Sequence, residues 1–535
     1  MSKSFKNISL VAGTTMVSRL LGLVRESASA AVFGTSALAS AYATAFQLPN
    51  LFRRLLAEGG MTAAFVPTLN DEIARNRNEG AFALISQVTS WLLVATSVLV
   101  VVAMGVLSQT EWLRGMGALF HVEADTVQRW LLAARLAVVL FPYLVFVCLA
   151  AAFSAALQTL NRFLEPALSP IWLNMAMIGM LVAGAYWSSG DMTSRMNWFC
   201  GGVLIGGFLQ MAVPAWALTQ EGWRPRFDLT WSEPVRLIVR LMGPTVLGSS
   251  IYLINMVVSR FVGLSLNDKA VSVLNYAQRL MELPIGVFAV AVSTVVFPLI
   301  SRYAAIGDFK NLGVAYRKGM RLILVINIPA AVGLGVLAEP IIRLVFQHGA
   351  IKHDDTELMA PVLIVSALGL PFFSFVNLVL RAFYAQKDTV TPVRAAIISF
   401  FVNITLSLVL MQWLSILGLA LASNLAIVVQ AWFLQVRLGR KSEGLALHHL
   451  WADLLKIALA SAVMGVVVHL GWHWVAPHVL RHPARAALAL AASIAVGVSV
   501  YGAIAWSLHI EGLDDVKQLV ARFTGKAPKT AVVSE

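Results

Sequence analysis

Long apolar runs, each close to the length of a bilayer crossing, recur along the whole chain and are separated by short polar loops. A membrane-spanning helix needs about 20 apolar residues, and on that basis the chain is predicted to form about fourteen such helices. The predicted spans are 9–33, 38–68, 82–108, 131–158, 164–188, 197–219, 236–263, 271–301, 320–338, 358–385, 392–413, 416–436, 454–475 and 486–509. The pattern predicts an all-α polytopic membrane protein, and the even number of spans places both termini on one side.

The composition agrees with this class of protein. Of the 535 residues, 59% are hydrophobic and only 13% are charged, whereas soluble domains carry about 25% charged residues. The formal net charge of +13 lies mostly in short loops and tails beside lipid, so membrane lipid rather than nucleic acid is the expected partner. Cys148 and Cys200 lie in apolar stretches and indicate neither a disulfide framework nor a metal site.

The distribution of basic residues predicts the orientation of the chain. The segment 301–321 contains five basic residues and one acidic residue, Asp308, and the C-terminal tail is also basic. Loops on the other predicted side are acidic or balanced, as in the segment 353–357. Because cytoplasmic loops are enriched in lysine and arginine, we expect both termini to face the cytoplasm.

Two pairs of segments indicate an internal repeat. AFQLPNLFRRLLAEGGMTAAFVPTL resembles YAQRLMELPIGVFAVAVSTVVFPLI, with Gln47 in the first matching Gln278 in the second. LQTLNRFLEP, which ends at Pro166, resembles FYAQKDTVTP, which ends at Pro392. Both pairs are offset by nearly the same distance along the chain, which predicts two six-helix halves in the same order. The expected division is an N-terminal lobe 1–220, a C-terminal lobe 221–440, two additional helices within 441–510 and a basic cytoplasmic tail 511–535.

Several charged residues interrupt the apolar runs and are the candidate site residues. They are Arg19, Arg25, Glu26, Arg53, Arg54 and Glu58 in the first half, and Arg279 and Glu282 in the second. A charge near the bilayer centre costs at least about 3 kcal/mol, so such residues usually face a water-filled cavity or a partner. Guanidinium groups donate two parallel hydrogen bonds to phosphate, which favours an anion-binding cavity. For any single arginine near a helix end, the alternative is an anchor that reaches to the membrane interface.

The spacing of these charges suggests which side chains meet. Arg19 and Glu26 are seven residues apart and share a helix face, whereas Arg25 points about 120° away from Arg19. Arg279 and Glu282 are three residues apart and are expected to pair.

Other chemistry is poorly supported by the sequence. His469 and His473 have i,i+4 spacing, but neighbouring tryptophans favour an interfacial belt over a metal site. Neither a P-loop, an HExxH motif nor a GxSxG motif is present, so we expect a protein that is not an enzyme and needs no metal or cofactor. A glycosyltransferase or ligase would need a catalytic loop, for which 348–357 is the only candidate. A drug/cation antiporter would favour intramembrane carboxylates over arginines.

Five ordered motifs carry a resemblance to a known family. They are SRLLGLVRE at 18–26, LPNLFRRLLAEGGMTAAFVP at 48–67, NRFLEPALSP at 161–170, YAQRLMELPIGVF at 276–288 and FYAQKDTVTP at 383–392. Together they resemble the MurJ (MviN) lipid II flippases of the multidrug/oligosaccharidyl-lipid/polysaccharide exporter superfamily. The resemblance implies two six-helix lobes around a central cationic cavity, and two final helices that shape a groove for a lipid tail.

The resemblance also implies a function and a location. Lipid II, an undecaprenyl-diphosphate-linked peptidoglycan precursor, would be moved from the inner to the outer leaflet of the bacterial inner membrane by alternating access. The expected partners are lipid II and membrane lipid, and the expected state is a monomer. A related exporter of another polyprenyl-linked glycan, or of drugs, is the alternative.

Matched position by position, the family's cavity arginines fall on Arg19, Arg25, Arg53, Arg54 and Arg279. Glu26 stands where an aspartate is usual, and Glu58 matches a family glutamate. The chain departs from many members at Ser40, where aspartate is common, and at Gln47, where some have lysine. Ser40 is expected to tolerate aspartate if it faces the water-filled space. No acidic cluster stands in helices seven to twelve, so a sodium site is not predicted.

Overall fold

The computed structural model describes residues 3–53, 62–119, 121–188, 190–441, 445–447, 450–480 and 482–512. These residues are organised almost entirely as helices. The helices are α1 (Lys3–Phe33), α2 (Ala37–Arg53), α3 (Thr62–Ser108), α4 (Glu111–Leu119), α5 (Ala124–Leu140), α6 (Tyr143–Thr159), α7 (Leu164–Trp187), α8 (Met192–Gln220), α9 (Glu233–Leu266), α10 (Ala270–Ala305), α11 (Phe309–Val336), α12 (Ala338–Val345), α13 (His353–Leu368), α14 (Leu370–Ala385), α15 (Val390–Gly439), α16 (Trp451–Val479) and α17 (Pro483–Ser507).

Many of these helices are long and apolar enough to cross a bilayer. Within the described residues, eight candidate spans meet that standard, and nine do if α5 and α6, which meet at a bend of 47°, form one span. The chain is therefore an all-helical polytopic membrane protein, as its sequence predicts. The sequence predicts about fourteen spans, which is more than the eight or nine candidates found among the described residues.

Helix α15 is two spans rather than one. A straight helix of its 50 residues would be about 75 Å long, more than twice the thickness of the hydrocarbon core. The backbone leaves helical geometry at Ser415, with φ 51° and ψ −128°. Beyond that point the chain runs back alongside the first half of α15. The hydrogen bond that Ser399 Oγ donates to Ala426 O, at 3.3 Å, shows this reversal. A Cβ placed on Gly418 would lie 2.4 Å from Leu410 O, so the turn requires glycine. Separate spans at 392–413 and 416–436 were predicted, and this turn divides them.

The described residues form two compact units. The first contains Met1–Ser272 together with His348–Ile351, and the second contains Val273–Gln347 together with Lys352–Glu535. These limits differ from the proposed division of the chain at 220/221, because α9 packs against α3 and α5 within the first unit.

In the first unit, α8 packs closely against α6 and α7. A Cβ on Gly206 would lie 2.8 Å from Leu173 Cα, and one on Gly202 would lie 2.8 Å from Met177 Cα. The glycines of α8 thus allow the α7 backbone to approach, as small residues do between membrane helices. The short segment His348–Ile351 lies against the end of α1, where Ala350 N donates to Ala31 O at 2.7 Å.

In the second unit, the hairpin of α16 and α17 packs on α11. Tyr501 Oη donates to Val325 O at 2.8 Å. Arg321 joins three segments, because its Nε donates to Asp453 at 2.7 Å and its Nη1 contacts Glu511 at 2.6 Å. These polar contacts fix the last two helices to the body of the unit.

The internal repeat is visible in the backbone. The starts of α5 and α13 and the starts of α7 and α15 are offset by nearly the same distance along the chain. The turn after α6 contains Asn161 with φ 63°, and the turn after α14 contains Lys387 with φ 60°, at the same offset as the starts of α7 and α15. In both copies the amide of the next residue donates back into the preceding helix, at 2.9 Å in the first and 3.0 Å in the second. These matches support the parallel repeat.

The next position in each turn forms an ion pair, with opposite charges in the two copies. Arg162 Nη1 lies 3.0 Å from Glu221, just after α8, whereas Asp388 lies 2.6 Å from Lys441, just after α15. Burial disfavours ionisation of Asp388, but hydrogen bonds from Lys441 and Thr391 outweigh it and lower its pKa to about 2. The repeat thus preserves the pair while reversing its polarity.

Candidate functional site

Arg25 is the most deeply buried of the described candidate residues. It lies on α1, where only 7% of its side chain is exposed. Its Nη2 donates to Glu26 Oε1, and its Nη1 lies 3.6 Å from Met177 Sδ on α7. A guanidinium removed from water needs a charge partner, and the adjacent carboxylate supplies it.

Glu26 therefore binds its neighbour rather than Arg19, with which it shares a helix face. Arg19 is half-buried one to two turns earlier on α1. Asn174 of α7 donates to Ser18 O at 3.2 Å, so α7 lies along this stretch of α1. Arg25 and Glu26 can pair because both side chains are long. They can therefore meet although consecutive residues point in different directions around the helix.

Arg53 lies at the end of described α2 and borders a cavity of about 270 Å³ in the first unit. Its Nε donates to Asn50 Oδ1 at 2.9 Å. Apart from Arg53, the cavity is lined by α6, by the first two turns of α7 and by Gln210 of α8. Among the described residues that line the cavity, Arg53 is the only charged one.

Arg279 and Glu282 form the predicted pair on α10 in the second unit. Arg279 Nη1 contacts Glu282 Oε2, and the carboxylate side chain is 42% exposed. This pair is more accessible than that of Arg25 and Glu26, so the Arg279 guanidinium retains access to solvent or to an anionic ligand. Arg54 and Glu58 lie outside the described residues.

Among the described candidate residues, the structure thus shows one pair of opposite charge in each unit: Arg279 with Glu282, as predicted, and Arg25 with Glu26. Within the described residues, three or more histidine, cysteine or acidic side chains nowhere form a group suited to a metal ion. His469 and His473 have exposed rings with centroids 6.5 Å apart and form no such group in the part of the chain that is described.

From the sequence, Ser40 is expected to tolerate aspartate if it faces a water-filled space. The structure shows that it does not lie in such a space. Its side chain is fully buried. Its Oγ donates to Asp268 O at 2.5 Å and accepts from Ser272 N at 3.1 Å, at the start of α10. An ionised carboxylate at this position could not donate to the Asp268 carbonyl. The position is therefore suited to a hydroxyl, which can both donate and accept.

Sequence reasoning missed the residues of α7 and α8 that complete these surroundings. Asn174, Met177 and Gln210 come from α7 and α8, far along the chain from Arg25 and Arg53. Gln210 offered a signal, because it is an isolated amide within an apolar helix. Asn174 offered the same signal in α7.

Comparison with known proteins identifies the family. The family model described as Lipid II flippase MurJ matches residues 29–483. The chain belongs to the MurJ lipid II flippase family. Members of this family are transporters rather than enzymes, and the chain is a multi-pass protein of the bacterial inner membrane. Arg53 and Arg279 lie within the matched residues, whereas Arg19, Arg25 and Glu26 precede them.

Individual relatives cover nearly the whole chain. A probable lipid II flippase MurJ of Rhizobium tropici is 34% identical over 485 residues, covering 88% of this chain and 87% of the relative. A probable lipid II flippase MurJ of Rhizobium meliloti is 31% identical over 530 residues, covering 97% of this chain and 96% of the relative.

Solved structures show the same fold. One described as lipid II flippase MurJ in an inward closed conformation has a TM-score of 0.72 and 27% identity, covering 93% of this chain and 98% of that one. An inward-facing multidrug resistance MATE family transporter has a TM-score of 0.57 and 14% identity, covering 80% and 94%. The second likeness concerns the fold alone.

Proposed function

We propose that this chain translocates lipid II from the inner to the outer leaflet of the cytoplasmic membrane by alternating access. Membership of the MurJ family supports the substrate and the reaction. The observation that carries the proposal is Arg25, a guanidinium buried among apolar helices beside the neighbouring carboxylate of Glu26. Such a costly arrangement is retained where a cation has an anionic ligand to bind.

The physical task explains the residue types. The diphosphate and the peptide carboxylates are the groups of lipid II that are most costly to remove from water. Arginine remains charged at any working pH and binds phosphate through two parallel donors. We assign substrate binding to eight residues, of which Arg54 and Glu58 rest on the family resemblance alone: Arg19, Arg25, Glu26, Arg53, Arg54, Glu58, Arg279 and Glu282.

Glu26 and Glu282 have a separate role in this proposal. Each is bonded to an arginine, so each holds a guanidinium in position until a phosphate competes for it. A carboxylate neighbour also reduces repulsion among nearby cations, which is strong in surroundings of low dielectric constant.

The organisation of the chain is proposed on the same basis. We propose fourteen membrane helices, as a six-helix lobe 1–220, a second lobe 221–440, and two further helices within 441–510. The tail 511–535 and the N-terminus would face the cytoplasm, and the protein would act as a monomer without a metal or cofactor. A reporter that fluoresces only in the cytoplasm, fused after Glu535, should be bright. If the fluorescent fusion is dark, and a periplasmic reporter fused at the same position is active, this topology is wrong.

Complementation tests the function. The gene should restore growth to a bacterium depleted of its own lipid II flippase, and alanine at Arg19, Arg25 or Arg279 should abolish that growth. Lysine should substitute poorly, because it lacks the planar fork of donors. Membrane levels of each variant must match those of the wild type. A variant with alanine at all three positions that supports full growth, at the membrane level of the wild type, would contradict the proposed site.

A further inference from the structure

The cavity beside Arg53 contains polar side chains that lack hydrogen-bond partners. Ser154 and Gln158 on α6, and Ser169 on α7, form no side-chain hydrogen bond within the described residues. The Oε1 of buried Gln210 accepts from Tyr143 Oη at 3.1 Å, whereas its amide NH₂ donates to no group in the described part of the chain. All four residues line the same cavity.

Several other hydroxyls on the helices of this protein bond within their own helix. Serine and threonine side chains in a helix commonly donate to the carbonyl four residues earlier. Thr159, which directly follows Gln158, does so to Ala155 O at 2.9 Å, and Ser493 and Ser499 on α17 bond in the same way. The two cavity serines instead leave their hydroxyls available to the cavity.

The first turns of α7 add an acceptor. Pro166 and Pro170 both line the cavity. Pro170 has no N–H, so the carbonyl of Pro166 lacks its usual donor four residues later in the helix. The wall therefore offers hydroxyls, amides and a backbone carbonyl around one guanidinium. Gln210 is buried, Ser154 and Ser169 are half-buried and Gln158 is exposed, so these groups form an accessible polar wall that is suited to a polar occupant.

We propose that this cavity is a subsite for the sugar that is bonded directly to the diphosphate of the transported lipid. The proposal rests on the proposed function and deepens it. Arg53 at the wall fits the phosphate, and the hydroxyls and amides beside it fit the hydroxyl and amide groups of an adjoining sugar. A cavity of about 270 Å³ accommodates one sugar ring.

The geometry separates this role from that of the other arginines. Among the described residues that line the cavity, one charge stands in an otherwise neutral, hydrogen-bonding wall, which favours a neutral polar group next to a single anionic one. A wall built for the peptide carboxylates would need more cations. The cavity thus supplies preference for the glycosylated lipid over the bare diphosphate, whereas the arginines bind both.

A shape-preserving variant tests the subsite. The triple variant Ser154→Ala, Gln158→Leu, Ser169→Ala removes three hydrogen-bonding groups and leaves Arg53 and Gln210 intact. The matched control is Ser493→Ala with Ser499→Ala, which removes two hydroxyls that bond within their own helix. Native mass spectrometry of the purified proteins would give the Kd for lipid II, for its disaccharide lipid lacking the peptide, and for undecaprenyl diphosphate.

The wild type and the control should bind both glycosylated lipids more tightly than undecaprenyl diphosphate. In the triple variant that preference should fall by about tenfold, a modest loss for three hydrogen bonds, with the Kd for undecaprenyl diphosphate unchanged within about twofold. An undiminished preference in the triple variant would overturn the subsite, as would a preference that requires the peptide. A wild type that binds none of these lipids would instead reject the proposed function, and the subsite with it.

Discussion

Replacement of Glu26 by glutamine should be far more damaging than its conservative chemistry suggests. The substitution keeps the size of the side chain and removes only its charge. Arg25, with 7% of its side chain exposed, would then face an amide and the Met177 sulfur instead of a carboxylate. A buried cation that loses its counterion is the costly outcome of breaking a buried pair.

The magnitude follows from the burial of the two partners. Removing one partner of a buried ion pair costs about 3–5 kcal/mol, and the 14% exposure of Glu26 places this pair near the lower end. Glu26→Asp retains the charge but shortens the arm, which lengthens the contact by about 1.5 Å and costs about 1–2 kcal/mol at an effective dielectric constant of about 20. Glu26→Gln should therefore lower the free energy of unfolding more than Glu26→Asp does.

Unfolding of the purified protein by SDS in mixed micelles measures these differences in free energy. The matched control is Glu111→Gln, which breaks the i,i+3 pair with Arg114, whose side chains are 78% and 55% exposed. A pair so exposed contributes about 0–1 kcal/mol. Transport should follow the same order, measured as restored growth of a flippase-depleted bacterium at matched protein levels.

Two results would refute this reasoning. Equal destabilisation by Glu26→Gln and Glu111→Gln would show that Arg25 gains nothing from its buried counterion. Wild-type transport by Glu26→Gln would show that the carboxylate has no part in the mechanism and is only a polar group on the helix.

The remaining predictions concern positions away from this pair. Gly418→Leu should destabilise the protein by at least about 2 kcal/mol in the same SDS assay, because its Cβ would meet the Leu410 backbone, whereas Gly471→Ala, which meets nothing within 4 Å, should not. The Asp388 pKa of about 2 lies below its ordinary value, so the pair with Lys441 should stabilise the fold above about pH 4 and lose that effect as the pH falls towards 2, and Asp388→Asn should remove this part of the pH dependence. Ser40→Asp should lower the free energy of unfolding by about 1–3 kcal/mol, and unchanged stability would contradict the buried hydroxyl bridge.

The membrane class and the repeat could be predicted because they depend on local patterns. Apolar length alone separates the two spans of α15, and the turn at Ser415 then follows from the impossibility of a single 50-residue crossing. The repeat was visible in two short sequence matches, and the turns at Asn161 and Lys387 have the same backbone conformation. Arg279 and Glu282 pair as their spacing on one helix predicts.

The surroundings of the site could not be predicted, because they come from segments distant in sequence. Helical geometry suggested that Glu26 would face Arg19, whereas α7 confines Arg25 and leaves Glu26 to pair with it. The environment of Ser40 depends on the segment 268–272, which lies far later in the chain, so its burial could not be inferred from α2 alone.

The most direct test of the central claim is the amount of lipid II exposed on the outer face of cells that depend on this protein. In a bacterium depleted of its own flippase, an impermeant probe that reacts only with external lipid II should label cells that express this chain. Cells that express Arg25→Ala at the same membrane level should show labelling close to that of depleted cells. Equal labelling by the wild type and Arg25→Ala would contradict the proposed site, and labelling by the wild type no greater than in depleted cells would contradict lipid II translocation itself.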